Sequence, residues 1–146
     1  MHGFDRVREH TPDDINARID ERTEACIRSY ASRSRDEITT RICELEREWD
    51  IERWLETNAA GFALGGLLLG LTRNRAWLIL PGIVLPFLLQ HAVQGWCPPV
   101  ALFRRYGVRT RREIDREIYA LRALRGDFEA VSTTLGAEEA IRSTRR

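Results

Sequence analysis

The sequence predicts an all-α protein organised around a membrane helical hairpin, with two transmembrane helices, a long N-terminal amphipathic helix and a shorter C-terminal one. Three observations carry this expectation. Between Glu56 and Arg104 the only charged residues are Arg73 and Arg75. They split the stretch into two uncharged windows, Thr57 to Thr72 and Ala76 to Phe103, and about 20 residues of helix suffice to cross a hydrocarbon layer roughly 30 Å thick. The flanking segments are highly charged and carry apolar residues at helical spacing, with no strand-like alternation in residues 1–56.

Whole-chain figures hide this arrangement. At 146 residues, 43% hydrophobic and net charge +1, the chain resembles one ordinary soluble domain because charged ends average out an apolar middle. Residues 1–56 contain 10 Arg and 15 Asp/Glu, a net of −5, whereas residues 104–146 contain 11 Arg and 7 Asp/Glu, a net of +4. Every cationic Lys/Arg position is arginine, and arginine and lysine serve equally in fixing membrane orientation.

Residues 1–10 show no periodicity and are expected to be a flexible N-terminus. Residues 11–56 read as a cytoplasmic amphipathic helical region, with Thr11 as hydroxyl cap, Pro12 at the first helical position and Asp14 in the first turn. Ile15, Ile19, Cys26, Tyr30, Ile38, Ile42, Leu45 and Trp49 form its apolar stripe, and Ser32 to Arg35 interrupt it, so a break is expected there. Helices lying on membranes usually have a basic polar face. This one is net acidic, which favours self-association or packing within the chain over adsorption to lipid.

Residues 57–103 form the expected hairpin. The second window is the stronger, with Leu78, Ile79, Leu80, Ile83, Leu85, Phe87 and their neighbours favouring insertion by about 3–6 kcal/mol; the first, diluted by four glycines, supplies only about 2–4 kcal/mol. Trp54 and Trp96 mark one interface, and Trp77 with the Arg73/Arg75 turn marks the other. Gly61 and Gly65 form one G-x-x-x-G and Gly66 and Gly70 another, on different helix faces, so one pair suits contact within the hairpin and the other contact with a second protomer. Arg41, Arg47 and Arg53 before the first span, and Arg104, Arg105, Arg109, Arg111 and Arg112 after the second, outnumber the two arginines of the turn. Both termini are therefore expected in the cytoplasm.

Residues 104–127 read as a cytoplasmic basic segment and a second amphipathic helix. Thr110 and Glu113 supply a capping box, Ile114, Ile118, Leu121 and Tyr119 the apolar face, and Gly126 the stop. The arginines directly after a span fit orientation and anionic lipid better than nucleic acid, so no nucleic-acid partner is expected. Residues 128–146 read as a disordered tail.

Chemistry is sparse. Cys26, Cys43 and Cys97 contain no C-x-x-C pair, and His2, His10 and His91 have no metal-ligand spacing. No phosphate loop, nucleophile elbow or dinucleotide fingerprint occurs, so neither cofactor nor metal is expected. What remains is a polar stripe, Gln90, His91 and Gln94, in the second span. An intramembrane histidine is a functional candidate by default; the alternative is that these residues bond to Asn58 and Thr57 of the first span and fix the hairpin. Cys97 is a candidate reactive thiol beside a basic segment, or equally a small packed hydrophobe.

The turn between the spans, the Gly95-Trp96-Cys97-Pro98 segment and the basic stretch to Tyr106-Gly107 resemble the YgaP-like inner-membrane transmembrane domain of bacteria, over roughly residues 48–127. The resemblance implies a two-helix hairpin in the bacterial inner (plasma) membrane. Some members are fused to a rhodanese sulfurtransferase domain, and residues 1–56 do not accommodate one. A separate sulfurtransferase would then be a partner, with no catalytic role carried over to Cys97. Taken together, the sequence suggests a small integral inner-membrane protein, not an enzyme, acting as a scaffold or homo-oligomeric membrane module in contact with the lipid bilayer. The alternatives are a thiol- or sulfur-handling membrane partner using Cys97 and an oligomeric small-solute pore or carrier.

Overall fold

The computed structural model describes residues 5–128; residues 1–4 and nearly all of the expected C-terminal tail lie outside the described residues. The described residues form helices joined by short turns, with no strand. Helix α1 spans Arg6–Glu9, α2 Asp13–Tyr30, α3 Arg35–Arg47, α4 Ile51–Thr72, α5 Ile79–Gln94, α6 Pro98–Arg105 and α7 Arg111–Arg125, and a 3-10 turn at Arg75–Leu78 leads into α5. The chain divides into two compact units. Among the described residues, the first holds 5–19 and 49–112, the second 20–48 and 113–128.

In the first unit, α4 and α5 pack against each other as a helical hairpin. Asp50 caps α4 through the Arg53 amide at 2.9 Å, and Asn74 caps the 3-10 turn through the Ala76 amide at 2.9 Å. The packing rests on Gly66. A Cβ added there would lie 2.6 Å from Pro81 Cδ and 3.0 Å from Leu80 Cβ, so only glycine allows the α5 backbone this close. One turn on, a Cβ at Gly70 would meet Leu78 Cδ2 at 2.5 Å. Gly61 and Gly65 have nothing within 4 Å of an added Cβ. The two glycine pairs thus differ in environment, one in the hairpin contact and one open.

Only one segment, Arg75–Gln94, is long and apolar enough to cross a membrane among the described residues. Its 20 residues make about 30 Å of helix, the thickness of the hydrocarbon layer. Helix α4, which contains the expected first span, does not meet that test. Its first turns carry Glu52, Arg53 and Glu56, and its apolar part holds the four glycines that weaken the first window in the sequence. The expected second window, extending to Phe103, also ends sooner: α5 stops at Gln94, and α6 is a separate amphipathic helix.

The N-terminal segment, expected to be flexible, contains α1, whose Val7 is buried at 4% exposure. Thr11 does not cap α2. Its hydroxyl donates to the Val7 carbonyl at 2.7 Å and accepts from Arg104 Nε at 3.2 Å, while the first amides of α2 turn to the Pro12 carbonyl. Arg104, counted in the sequence reading as a surface charge for orientation, is 1% exposed. Its guanidinium also donates to Asn16 Oδ1 at 2.8 Å and the Val108 carbonyl at 3.1 Å. Burying a guanidinium is costly unless its donors find acceptors. Here those acceptors come from the N-terminal segment, the start of α2 and the loop after α6, which therefore settle around one side chain.

In the second unit, α3 and α7 bury Ile38, Ile42 and Leu45 against Ile114, Ile118 and Leu121, with Tyr30 at the edge. The break expected near Ser32–Arg35 falls between α2 and α3, where Ser34 and Glu37 form a reciprocal capping box. This answers what the N-terminal stripe packs on: its α3 half packs within the chain, on the C-terminal helix. Tyr119, expected on the apolar face of α7, is 57% exposed, whereas Glu113 and Glu117 are buried in its place. Arg41 reaches Glu117 Oε1 at 3.0 Å, so this face of α7 is partly an ion pair.

Leu45, Ile114 and Leu121 are fully enclosed. Ile114→Ala is expected to destabilise the second unit by about 2–5 kcal/mol, as loss of a buried aliphatic side chain does. Exposed Leu124→Ala should change stability by less than about 0.5 kcal/mol. Denaturant titration of the full chain followed by circular dichroism checks both.

Candidate functional site

The polar and thiol residues singled out in the sequence all lie at the end of α5 and the start of α6, where three short-range devices act in succession. Gly95 ends α5 at φ 75°, a left-handed conformation that favours glycine, and its amide donates to the His91 carbonyl at 2.7 Å. Arg6 packs against Gly95 so closely that no side chain fits there. The same arginine donates from Nη1 to the Ala92 and Val93 carbonyls at 2.9 and 3.1 Å, occupying acceptors that a helix C-terminus leaves open. Cys97 is the N-cap of α6, and Pro98 stands at its first position, where a missing N–H costs nothing.

His91 is 4% exposed, and its Nε2 lies 2.8 Å from Glu52 Oε2 in the first turn of α4. Neither residue of the anticipated pairing with Asn58 and Thr57 is involved. The Asn58 amide instead donates to the Trp54 carbonyl at 2.7 Å. Glu52 was not picked out from the sequence, because a carboxylate just outside an apolar window reads as ordinary solvated charge; the length of α4 and the α4–α5 register put it level with His91. The Nδ1 of His91 is buried without a hydrogen-bond partner. Gln90 and Gln94 do not join this pair. Their amides approach each other at 3.4 Å on the exposed side, so the expected stripe separates into a buried histidine and two outer glutamines.

Cys97 is 2% exposed and sits in a small core with Val7, Ile51, Leu55 and Val100. It lies beyond the end of the apolar 75–94 segment. Burial pushes its thiol up from the ordinary value, a nearby Glu52 charge adds to this, and the Val100 amide offsets it in part. The arginines expected to favour a thiolate do not do so. Cys26, in the second unit, is likewise raised by burial and by Glu117, and only Cys43 is exposed. Cys97 therefore behaves as a packed neutral group in this structure.

Trp54 lies at the outer edge of this region, 6.0 Å from the Phe103 ring and 5.2 Å from Trp49, over which the Arg53 guanidinium stands at 4.3 Å. The result is a partly exposed aromatic cluster with a stacked cation beside the apolar helix pair. Among the described residues no group of three or more His, Cys, Asp or Glu side chains is placed to hold a metal.

Removing Glu52 strands the second nitrogen of His91. Glu52→Ala should cost about 1–3 kcal/mol, the penalty for an unmatched buried polar atom, and Glu56→Ala well under that; thermal denaturation of the two variants decides it. Alkylation offers a second check. Cys43 should label rapidly in the folded protein, while Cys97 should label only after denaturation, and because its folded-state thiol is raised, increasing pH should release it later than an unhindered thiol. No protein-family model, curated protein or solved structure matches this chain.

Proposed function

We propose that this chain is a small integral membrane protein whose α4–α5 hairpin is inserted in the lipid bilayer, and that it serves as a scaffold or oligomeric membrane module. The observation that carries this reading is exposure. Only 6% of the 18-residue apolar window within Arg75–Gln94 is buried, although a soluble core helix of that composition would be mostly covered. Ile79 at 68%, Leu89 at 66% and Leu71 at 74% exposure show how much aliphatic surface both helices turn outward. Contiguous apolar surface of that extent belongs against lipid or another protein. Trp54 and Trp77, both half exposed near opposite ends of the hairpin, support the same placement.

The oligomeric part of the proposal draws on Gly61 and Gly65. Their face is open, and small residues on an open membrane helix let a second backbone approach. The likeness of residues 95–98 to the YgaP-like domain adds a bacterial inner-membrane setting, and the arginine distribution adds cytoplasmic termini. The burial of Cys97 lends no support to a thiol-handling role.

Alkaline carbonate washing of native membranes tests the central claim. Retention in the pellet is expected. Release would mean that protein covers the apolar faces, and the hairpin would then be a peripheral docking element. Crosslinking of the same membranes is expected to yield a dimer that Gly61→Leu abolishes while leaving the protein in the pellet.

A further inference from the structure

In the first unit a groove of about 270 Å³ opens between α4, α5 and α6. Leu55, Ala59 and Phe62 form one wall, Val84 and Leu88 the second, and Leu102 of α6 the third. We propose that this groove holds one acyl chain of a bilayer phospholipid; the proposal rests on the membrane placement argued above. Three properties select that occupant.

The first is the chemistry of the lining. Its polar side chain, Asn58, already donates its amide to Trp54, and the Cys97 thiol is held neutral by burial. A ligand bringing a polar or charged group inside would lose its hydration without replacement bonds. Hydrocarbon loses nothing there. The second is size. The volume falls just below the roughly 300–1,000 Å³ typical of small-molecule pockets, which leaves room for a segment of a single chain and not for a bulky ligand.

Depth is the third property. Val84 stands about 15 Å along α5 from Gln94, at 1.5 Å per residue. That is half of a hydrocarbon layer about 30 Å thick, so the groove runs from mid-bilayer to the boundary, as one leaflet's acyl chain does. Phe62 and Leu102 line the groove and are also 55% and 54% exposed, which makes its walls continuous with the outer apolar surface and open to lipid from the side. At the upper end, exposed Arg105 follows Leu102 by one helical turn on α6 and offers a cation to a phosphate headgroup.

The test uses the full chain reconstituted in vesicles containing a phosphatidylglycerol that carries a photoactivatable diazirine midway along one acyl chain. Adducts mapped by residue should be enriched at Ala59, Phe62 and Leu88 relative to outward-facing Leu71, Leu85 and Leu89. Ala59→Phe and Val84→Phe fill the groove from facing walls, so a folding failure in one leaves the other to decide. Either should reduce the enrichment about tenfold, equivalent to 1.4 kcal/mol of lost chain binding, with labelling of the outer residues unchanged. Uniform labelling of the native chain, or enrichment that survives a folded filling variant, overturns the groove. Absence of any lipid adduct on α5 overturns the membrane placement itself, a separate outcome.

Discussion

The apolar side chains of α4 and α5 that no protein covers are the constraint around which the first unit is arranged. Each helix end leaves backbone amides or carbonyls without a partner inside the helix, and side chains or neighbouring backbone must meet them. The ends of the hairpin meet that demand closely. Asp50 caps α4, Asn74 caps the 3-10 turn that leads into α5, Gly95 returns its amide to His91, and Arg6 takes two of the carbonyls left open at the end of α5. Glycine at position 66 then lets the Pro81 ring and Leu80 of α5 sit directly against the α4 backbone.

Where the hairpin ends, exposed apolar surface gives way to dense hydrogen bonding. Arg104 is the centre of that change. Its buried guanidinium draws in Thr11, Asn16 and the Val108 carbonyl, and Thr110 donates to Asp5 at 2.7 Å nearby. The N-terminal segment is thereby tied to the chain that follows α6. One consequence is that Cys97 and Val7, ninety residues apart, share a small core, and Cys97 also lines the proposed lipid groove. His91 and Glu52 belong to the same boundary, linking α5 to the first turn of α4 by a polar contact just where the apolar surface stops.

Much of the fold is legible in the residues. The helical class, the break before Arg35, the stop at Gly126 and the apolar positions Ile38, Ile42, Leu45, Ile114, Ile118 and Leu121 all follow from local periodicity and capping. The candidate site is less so. Gln90, His91 and Gln94 are neighbours on one helix, so spacing alone groups them, yet only the α4–α5 register puts a carboxylate opposite the histidine and leaves both glutamines outside. Arg104 and Arg105 look alike in sequence; burial separates them, because Thr11 and Asn16 come from a segment more than 85 residues away.

The sequence by itself determined that this protein is helical and that its centre is nearly free of charge, because charge content and periodicity are local properties written into consecutive residues. The tertiary structure alone decided which of two glycine pairs closes the hairpin, which arginine is buried, and that Cys97 is a packed thiol. Those outcomes depend on which distant groups meet, and a helix face carries no local mark of its eventual neighbour. Glu117 makes the same point in the second unit: its carboxylate is indistinguishable in sequence from a solvated one until Arg41, from another helix, closes over it at 3.0 Å.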